Sequence, residues 1–275
     1  MDIKEIAKEI EPICYFCDTK IYKASPRISK PWAVINSCRH ARNIQSIIDY
    51  AARRKTKKLR VLNASGLGCG HQDFSILSYL KKRDYAVEWV VYDSPNSEYL
   101  RNKHMKDYIK KLDIQLVETD FSKAGSIFGE RANEFDIVLF GEIAEHLDHS
   151  VFLKTLLEIK HKVKPGGIVI VTTPNQISLL NRVRFLFGRT NSFYFDDGVK
   201  HMAAGIYGHI TLFDLNRLTR LLKDAGFKIN KAYAFSDNAD SVGKPLLFRI
   251  LGMVLSFFSC LIRNSEATLF VEATK

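Results

Sequence analysis

The sequence predicts an α/β fold, doubly wound around a mostly parallel sheet. Three observations carry that reading. Short runs rich in Val, Ile and Leu alternate with longer helical patterns, as βα units feeding a parallel sheet do. One such run passes straight into a glycine-rich turn, and the next ends in an aspartate. With 46% hydrophobic and 26% charged residues over 275, the chain has the composition of a globular protein with a sizeable core, which excludes disordered and fibrous classes.

In order, strand runs fall at 59–63, 87–92, 114–118, 135–141 and 167–172, separated by helical stretches near 71–83, 98–112 and 150–163. A helix from Phe213 to Ala225, a strand from Phe227 to Phe235, an apolar insert and a last strand from Ala267 to Ala273 follow, for seven strands. Ahead of them, helical patterns at 2–10 and 40–53 flank a connection holding Pro26 and Pro31. We expect residues 1–55 to form an N-terminal helical cap and 56–275 one main domain with an apolar helical insert at about 245–263. A cap would exclude water from the sheet's carboxyl edge, where open α/β sheets bind ligands. A plain packing extension is the alternative.

The net charge is +11, and residues 1–60 carry +8 of it, densest at Arg53, Arg54, Lys55, Lys57, Lys58 and Arg60. Such a run is a solvated helix end or an attractor of phosphate, acidic lipid or nucleic acid. Five cysteines and no apolar signal segment after Met1-Asp2-Ile3-Lys4-Glu5 lead us to expect a reducing cytoplasm. Cys14 and Cys17 form a lone C-x-x-C, and neither Cys38 nor His40 completes a zinc spacing, so ordinary buried thiols are expected.

The segment Leu59-Arg60-Val61-Leu62-Asn63-Ala64-Ser65-Gly66-Leu67-Gly68-Cys69-Gly70 is a strand entering a turn whose glycines admit close approach of a ligand to the backbone. The next strand ends in Asp93, 23 residues beyond Gly70, where a carboxylate can accept both hydroxyls of a ribose. A nicotinamide enzyme would share both features, so later motifs must discriminate. The third strand runs into Asp120 and Phe121, suited to an adenine amino group and ring; the fourth leads into Glu142-Ile143-Ala144-Glu145-His146; Lys164-Pro165-Gly166-Gly167 precedes the fifth.

In this order the motifs resemble those of class I S-adenosylmethionine-dependent methyltransferases, from about residue 59 to 235 and again over 267–275, which resembles the family's antiparallel last strand. The resemblance implies a Rossmann-like doubly wound, mostly parallel seven-stranded sheet. It implies S-adenosyl-L-methionine as cofactor, with Asn63, Ala64, Gly66, Gly68, Asp93, Ser94, Asp120, Phe121 and Glu142 as candidate cofactor residues. One departure stands out: Ala64 occupies the place, two residues before the first glycine, where the family usually has Asp or Glu for the methionyl amine. Either Asn63 takes that role or the amine is held otherwise.

Glu142, Glu145 and His146 stand at i, i+3 and i+4, which on a helical turn places them on one face. The plain reading is an active-site wall; the sharper one is a Mg²⁺, Mn²⁺ or Zn²⁺ site. An E-x-x-E-H segment resembles the metal ligand set of ubiquinone-type O-methyltransferases and small-RNA 2′-O-methyltransferases, and the RNA enzymes add a later histidine, here His209. The candidate metal ligands are therefore Glu142, Glu145, His146 and His209, and the candidate catalytic residues His146, His209 and Glu145. Without metal, His146 or His209 is a general base.

Two further segments bear on the acceptor. Gln176 to Arg189 sets Ile177, Leu180, Val183 and Phe187 at helical spacing beside Arg182, Arg184 and Arg189. Leu246 to Arg263 is apolar except for a stripe at Arg249, Gly252, Ser256, Ser259 and Arg263, and its uncharged run, Ile250 to Ile262, is too short to span a bilayer. It is a core helix, a dimer surface or an interfacial helix on an anionic membrane surface. The expected activity is O-methylation of a small-molecule, glycan or lipid-linked acceptor, in the cytoplasm or peripherally at a membrane. RNA 2′-O-methylation is an alternative that the basic N-terminal segment favours, although the chain has no recognisable RNA-binding module. A non-catalytic binding protein of the same fold is a third reading, and a nicotinamide dehydrogenase a fourth.

Overall fold

Seven strands form one sheet in the order β3-β2-β1-β4-β5-β7-β6. They are β1 (Lys58–Asn63), β2 (Ala86–Asp93), β3 (Ile114–Glu118), β4 (Phe135–Gly141), β5 (Val163–Pro174), β6 (Lys228–Phe235) and β7 (Thr268–Thr274). β1 pairs in parallel with both β2 and β4, β2 in parallel with β3, and β6 antiparallel with β7. The seven strands expected from the sequence are therefore all present. The computed structural model describes residues 2–93, 98–118, 131–189, 209–236, 250, 254–255, 257–259 and 261–275. Two compact units share the chain, Met1–Leu139 with His161–Ile168, and Phe140–Lys160 with Val169–Lys275.

In the first unit, α1 (Ile3–Phe16) begins on Asp2, whose carboxylate caps the amide of Lys4 at 3.0 Å. It buries Ile6, Ile10 and Cys14, one helical stripe. α2 (Pro26–Arg53) is much longer than the expected 40–53 pattern. Pro26 fits the first helical position, where its missing N–H has no intrahelical partner to lose, and Pro31 costs only one early bond. The prolines thus open a helix instead of separating two. α1 and α2 pack on each other and on α3 (His71–Lys81), and Glu9 of α1 binds Arg83 at 2.7 Å and Lys82 at 2.9 Å. A further helix, α4 (Lys103–Leu112), is capped by Asn102 through the amide of His104. Val61, Trp89, Val91, Ile137 and Val138 are wholly buried, and near-continuous apolar strands of this kind belong to a parallel sheet covered on both faces.

In the second unit, α5 (His149–Lys162) turns Phe152, Leu156 and Ile159 inward, and Phe152 packs against Phe140 and Phe213. α6 (Leu179–Leu186) starts on the Ser178 cap and is shorter than the periodic stretch that predicted it. α7 (Leu215–Asp224) is capped by Asp214 and buries Leu215, Leu218 and Leu222. β6 and β7 then close the sheet, with Tyr233 stacked on its cross-strand partner Phe270 at 5.0 Å between ring centres.

Candidate active site

The turn after β1 is built around Asn63. Its side chain is fully buried; its amide nitrogen donates to Asp73 Oδ1 and Oδ2 at 2.8 and 3.0 Å and to the Gly66 carbonyl at 2.9 Å, while its Oδ1 accepts from the Ser65 amide. Asn63 therefore tethers the turn to α3. Ala64, also buried, donates its amide to the Leu139 carbonyl at 2.9 Å. Gly66 and Gly68 adopt φ of +82° and +50°, where glycine is strongly favoured. A Cβ on Gly66 would stand 3.3 Å from Asp93 Oδ1, whereas one on Gly68 would meet nothing within 4 Å. Gly70 is needed for packing, because a Cβ there would strike the Phe74 ring at 2.6 Å.

Asp93, at the end of β2, accepts the Leu67 amide through Oδ2 at 3.0 Å. The turn and the carboxylate thus form a glycine-floored cradle edged by an acid, the chemistry that a vicinal diol and an approaching chain require. Ser94, Asp120 and Phe121 lie outside the described residues.

Asp73 escaped sequence reasoning. It is fully buried and accepts Trp89 Nε1–H at 2.7 Å in addition to Asn63. Burial pushes its carboxyl up to about 7, against the opposing hydrogen bonds from Trp89 and Asn63. The signal was an acid in the first turn after a glycine loop. His71, at the start of α3, likewise gained no role from the sequence; its Nε2 lies 2.8 Å from Asp18 Oδ1. Burial works against its charge, but hydrogen bonds to Asp18 and Cys69 prevail and bring it up to about 10.

In the second unit, Glu145, His146 and His209 converge, their ligating atoms all within 4.8 Å of one another. Glu145 is buried; its Oε2 accepts the Thr173 hydroxyl at 2.8 Å and its Oε1 lies 3.9 Å from His146 Nε2. Its backbone carbonyl accepts the amides of Ile210 and Thr211, which holds the His209 segment in place. The two imidazoles meet edge to face, centres 4.8 Å apart. Burial, then the charge of His146, lowers His209 to about 4, so it is a neutral imidazole at pH 7. One carboxylate and two imidazoles form a donor set that suits a first-row divalent cation.

Glu142 does not join that cluster. The expectation that Glu142, Glu145 and His146 share a helical face is corrected: Glu142 has φ of +53°, and only Ala144–His146 form a helical turn, of the tight 3₁₀ type. A left-handed residue breaks the helical phase that would have aligned the two acids. The Glu142 amide instead donates to the Thr172 carbonyl at 2.8 Å.

A profile of the methyltransferase-domain family matches residues 38–232, well over half of the chain. No curated protein matches it by sequence. Among solved structures, a SAM-dependent methyltransferase from Archaeoglobus fulgidus is similar over 95% of this chain and 99% of its own, at 17% identity and a TM-score of 0.54. A candidate sarcosine dimethylglycine methyltransferase from Galdieria sulphuraria reaches 0.50 at 14% identity over 86% of this chain and 88% of its own. The [4+2]-cyclase SpnF also reaches 0.50, at 15% identity over 84% and 81%. Since a cyclase shares it, the fold by itself does not specify the reaction.

The raised Asp73 predicts a sign. A carboxyl that binds its proton more tightly in the folded state contributes stability below its unfolded value of 3.8, and that contribution is lost as pH rises towards about 7. Melting temperatures measured from pH 4 to 8 should therefore fall more steeply for the wild type than for Asp73→Asn; parallel curves would refute the assignment.

Proposed function

We propose, for a chain that belongs to the methyltransferase-domain family and is a class I S-adenosylmethionine-dependent methyltransferase, that it methylates an oxygen of a small-molecule, glycan or lipid-linked acceptor. The observation that carries this reading is the convergence of Glu145, His146 and His209. When bound, S-adenosylmethionine supplies an electrophilic methyl on its sulfonium. Asp93 accepts the ribose hydroxyls, and the backbone at Gly66 and Gly68 admits the methionyl end. With alanine at position 64, the methionyl amine meets no carboxylate there.

His146, with the Glu145 carboxylate that Thr173 holds 3.9 Å from its Nε2, takes the acceptor's proton and so raises the nucleophilicity of the oxygen. His209, kept neutral by its burial, is a second imidazole against the same proton. Should a divalent cation bind, Glu145, His146 and His209 would hold it, and it would lower the pKa of the acceptor hydroxyl. Orientation of two reactants supplies the rest of the rate.

A specific surface favours a lipid-linked acceptor. Phe185, Leu186 and Phe187 at the end of α6 are exposed, as are Phe257, Phe258, Leu261 and Ile262. Leu186 is 80% and Leu261 71% exposed, whereas Ser259 is buried, so the described apolar side chains of Phe257, Phe258, Leu261 and Ile262 face outward, which favours a surface over a core helix. Most of 246–256 lies outside the described residues. The two segments are tied: the Leu179 amide donates to Ser265 at 2.7 Å, and Asn175 donates to the carbonyls of Asn264 and Glu266. Exposed Arg182, Arg189 and Arg263 border them, a charge pattern that suits an anionic lipid surface.

Three outcomes follow. Asp93→Ala should weaken S-adenosylhomocysteine binding by about 1.5–3 kcal/mol in calorimetry, the cost of losing hydrogen bonds to a charged group; unchanged affinity would sink the ribose assignment. With methyl-labelled cofactor and separated lipid, glycan and RNA fractions as acceptors, His209→Ala should lower labelling by roughly 100-fold or more while leaving cofactor affinity intact. Label retained in that variant, or appearing in RNA alone, would overturn the reading. In flotation with anionic vesicles, wild-type protein should rise and a Phe257→Glu, Phe258→Glu variant should not; if both stay in the aqueous fraction, the membrane surface is excluded.

A further inference from the structure

Cys69, His71 and Asp18 lie in series. Cys69 Sγ is 2.8 Å from His71 Nδ1, and His71 Nε2 is 2.8 Å from Asp18 Oδ1. A thiol, an imidazole and a buried carboxylate in that order form the constellation that activates a sulfur nucleophile: the acid fixes the ring's tautomer and orientation, and the ring governs the thiol proton. Asp18 is 4% exposed, and its second oxygen, Oδ2, has no hydrogen-bond partner. None of these three residues has a part in the methyl-transfer roles assigned above.

An independent observation comes from α2. Its face towards the start of α3 presents Asn36, His40 and Asn43, at helical spacing. Asn36 approaches His71 Nδ1 at 3.5 Å, and Asn43 donates to Gln72 at 3.3 Å. Between them His40 is 8% exposed, and neither ring nitrogen has a hydrogen-bond partner. Burial holds His40 well below the ordinary histidine range, and the charge of His71 adds to this. A buried imidazole with both nitrogens unmet beside His71 points to a polar group that this corner receives, because leaving such atoms unmet is costly.

Among the other described cysteines Cys38 is partly exposed as well, whereas two are enclosed. Cys14 and Cys17 are fully buried, and burial pushes both thiols up, towards the inert protonated form. Cys69 is partly exposed and flanked by Gly68 and Gly70, with open space where a Gly68 side chain would be. The residue thus borders space that a small reagent can enter.

We propose that Cys69 is a reactive thiol and a site of reversible modification by low-molecular-weight disulfides, whose adduct blocks the cofactor cradle. In the reaction, Sγ bonds to one sulfur of the disulfide and the disulfide bond breaks. The leaving sulfur takes the electron pair and, through His71 Nδ1, the proton the thiol had shared, so that one disulfide and one thiol become a mixed disulfide and a free thiol. His71 and Asp18 are positioning residues; the net positive charge His71 carries at neutral pH supports the arrangement. The adduct stands next to Gly68, over which the methionyl end is to pass, so the blocking clause rests on the cofactor reading above.

The test uses the full chain and oxidised glutathione, with the adduct located by peptide mass spectrometry. Cys69 should be glutathionylated at least about tenfold faster than any other cysteine, and His71→Gln and Asp18→Asn should each slow it on the order of tenfold while melting temperature shows the variants folded. Comparable rates at Cys69 and Cys38, or no change in folded His71→Gln, would overturn the reactive thiol. S-adenosylhomocysteine calorimetry before modification, after it and after reduction separates the second clause. Binding lost on modification and restored by dithiothreitol supports the block, and equal binding throughout overturns it. Absence of binding to unmodified protein overturns the block together with the cofactor reading, and leaves thiol reactivity decided by the mass spectra alone.

Discussion

The pairing of Asn63 with Asp73 sets the geometry of the first unit. A strand end, a glycine turn and a helix start meet there with Asn63 and Asp73 fully buried, and each brings polar groups that must be satisfied. Asn63 bridges all three, donating to Asp73 on α3 and to Gly66 in the turn and accepting from Ser65. Trp89 adds the neighbouring strand through its indole N–H. With the turn pinned from within, its outer surface is left as backbone and glycine, against which a ligand can lie. Burial of Asp73 raises the stakes, since a carboxylate so enclosed is tolerable only while its partners stay in place.

That inward pinning also explains why the N-terminal helices belong to the site's architecture. α1 and α2 pack on α3, and the segment after α1 delivers Asp18 to His71, the first residue of α3. A long-range ion pair on the helix start steadies the same turn that Asn63 steadies from below. The helices therefore belong to the first compact unit.

The second unit uses one residue in a comparable way. Glu145 fastens its carboxylate to Thr173 and its carbonyl to the amides of Ile210 and Thr211. His146 is adjacent in the chain, and His209 precedes the two amides, so one backbone oxygen brings together imidazoles 63 residues apart in sequence. The cost is backbone strain upstream, where Glu142 takes a left-handed conformation that β-carbon sterics disfavour.

Much was legible before folding was considered. Apolar runs of strand length, the glycine turn and the strand-terminal Asp93 are local patterns, because strand burial and tight turns impose residue types at short spacing. They determined the seven strands, the cradle and its acid. The Glu145, His146 and His209 grouping was legible through the likeness of its motifs. Local pattern misled where neighbours decided conformation: Pro31 was read as a break although the long helix carries it, and Glu142 was placed on a helical face that its positive φ abolishes. Asp18 left no local pattern, and Asp73 showed only as an acid in the first turn after the glycine loop. Their roles arise from burial and from partners 10 and 53 residues away, and such desolvation and charge pairing exist only once the chain has brought those groups together.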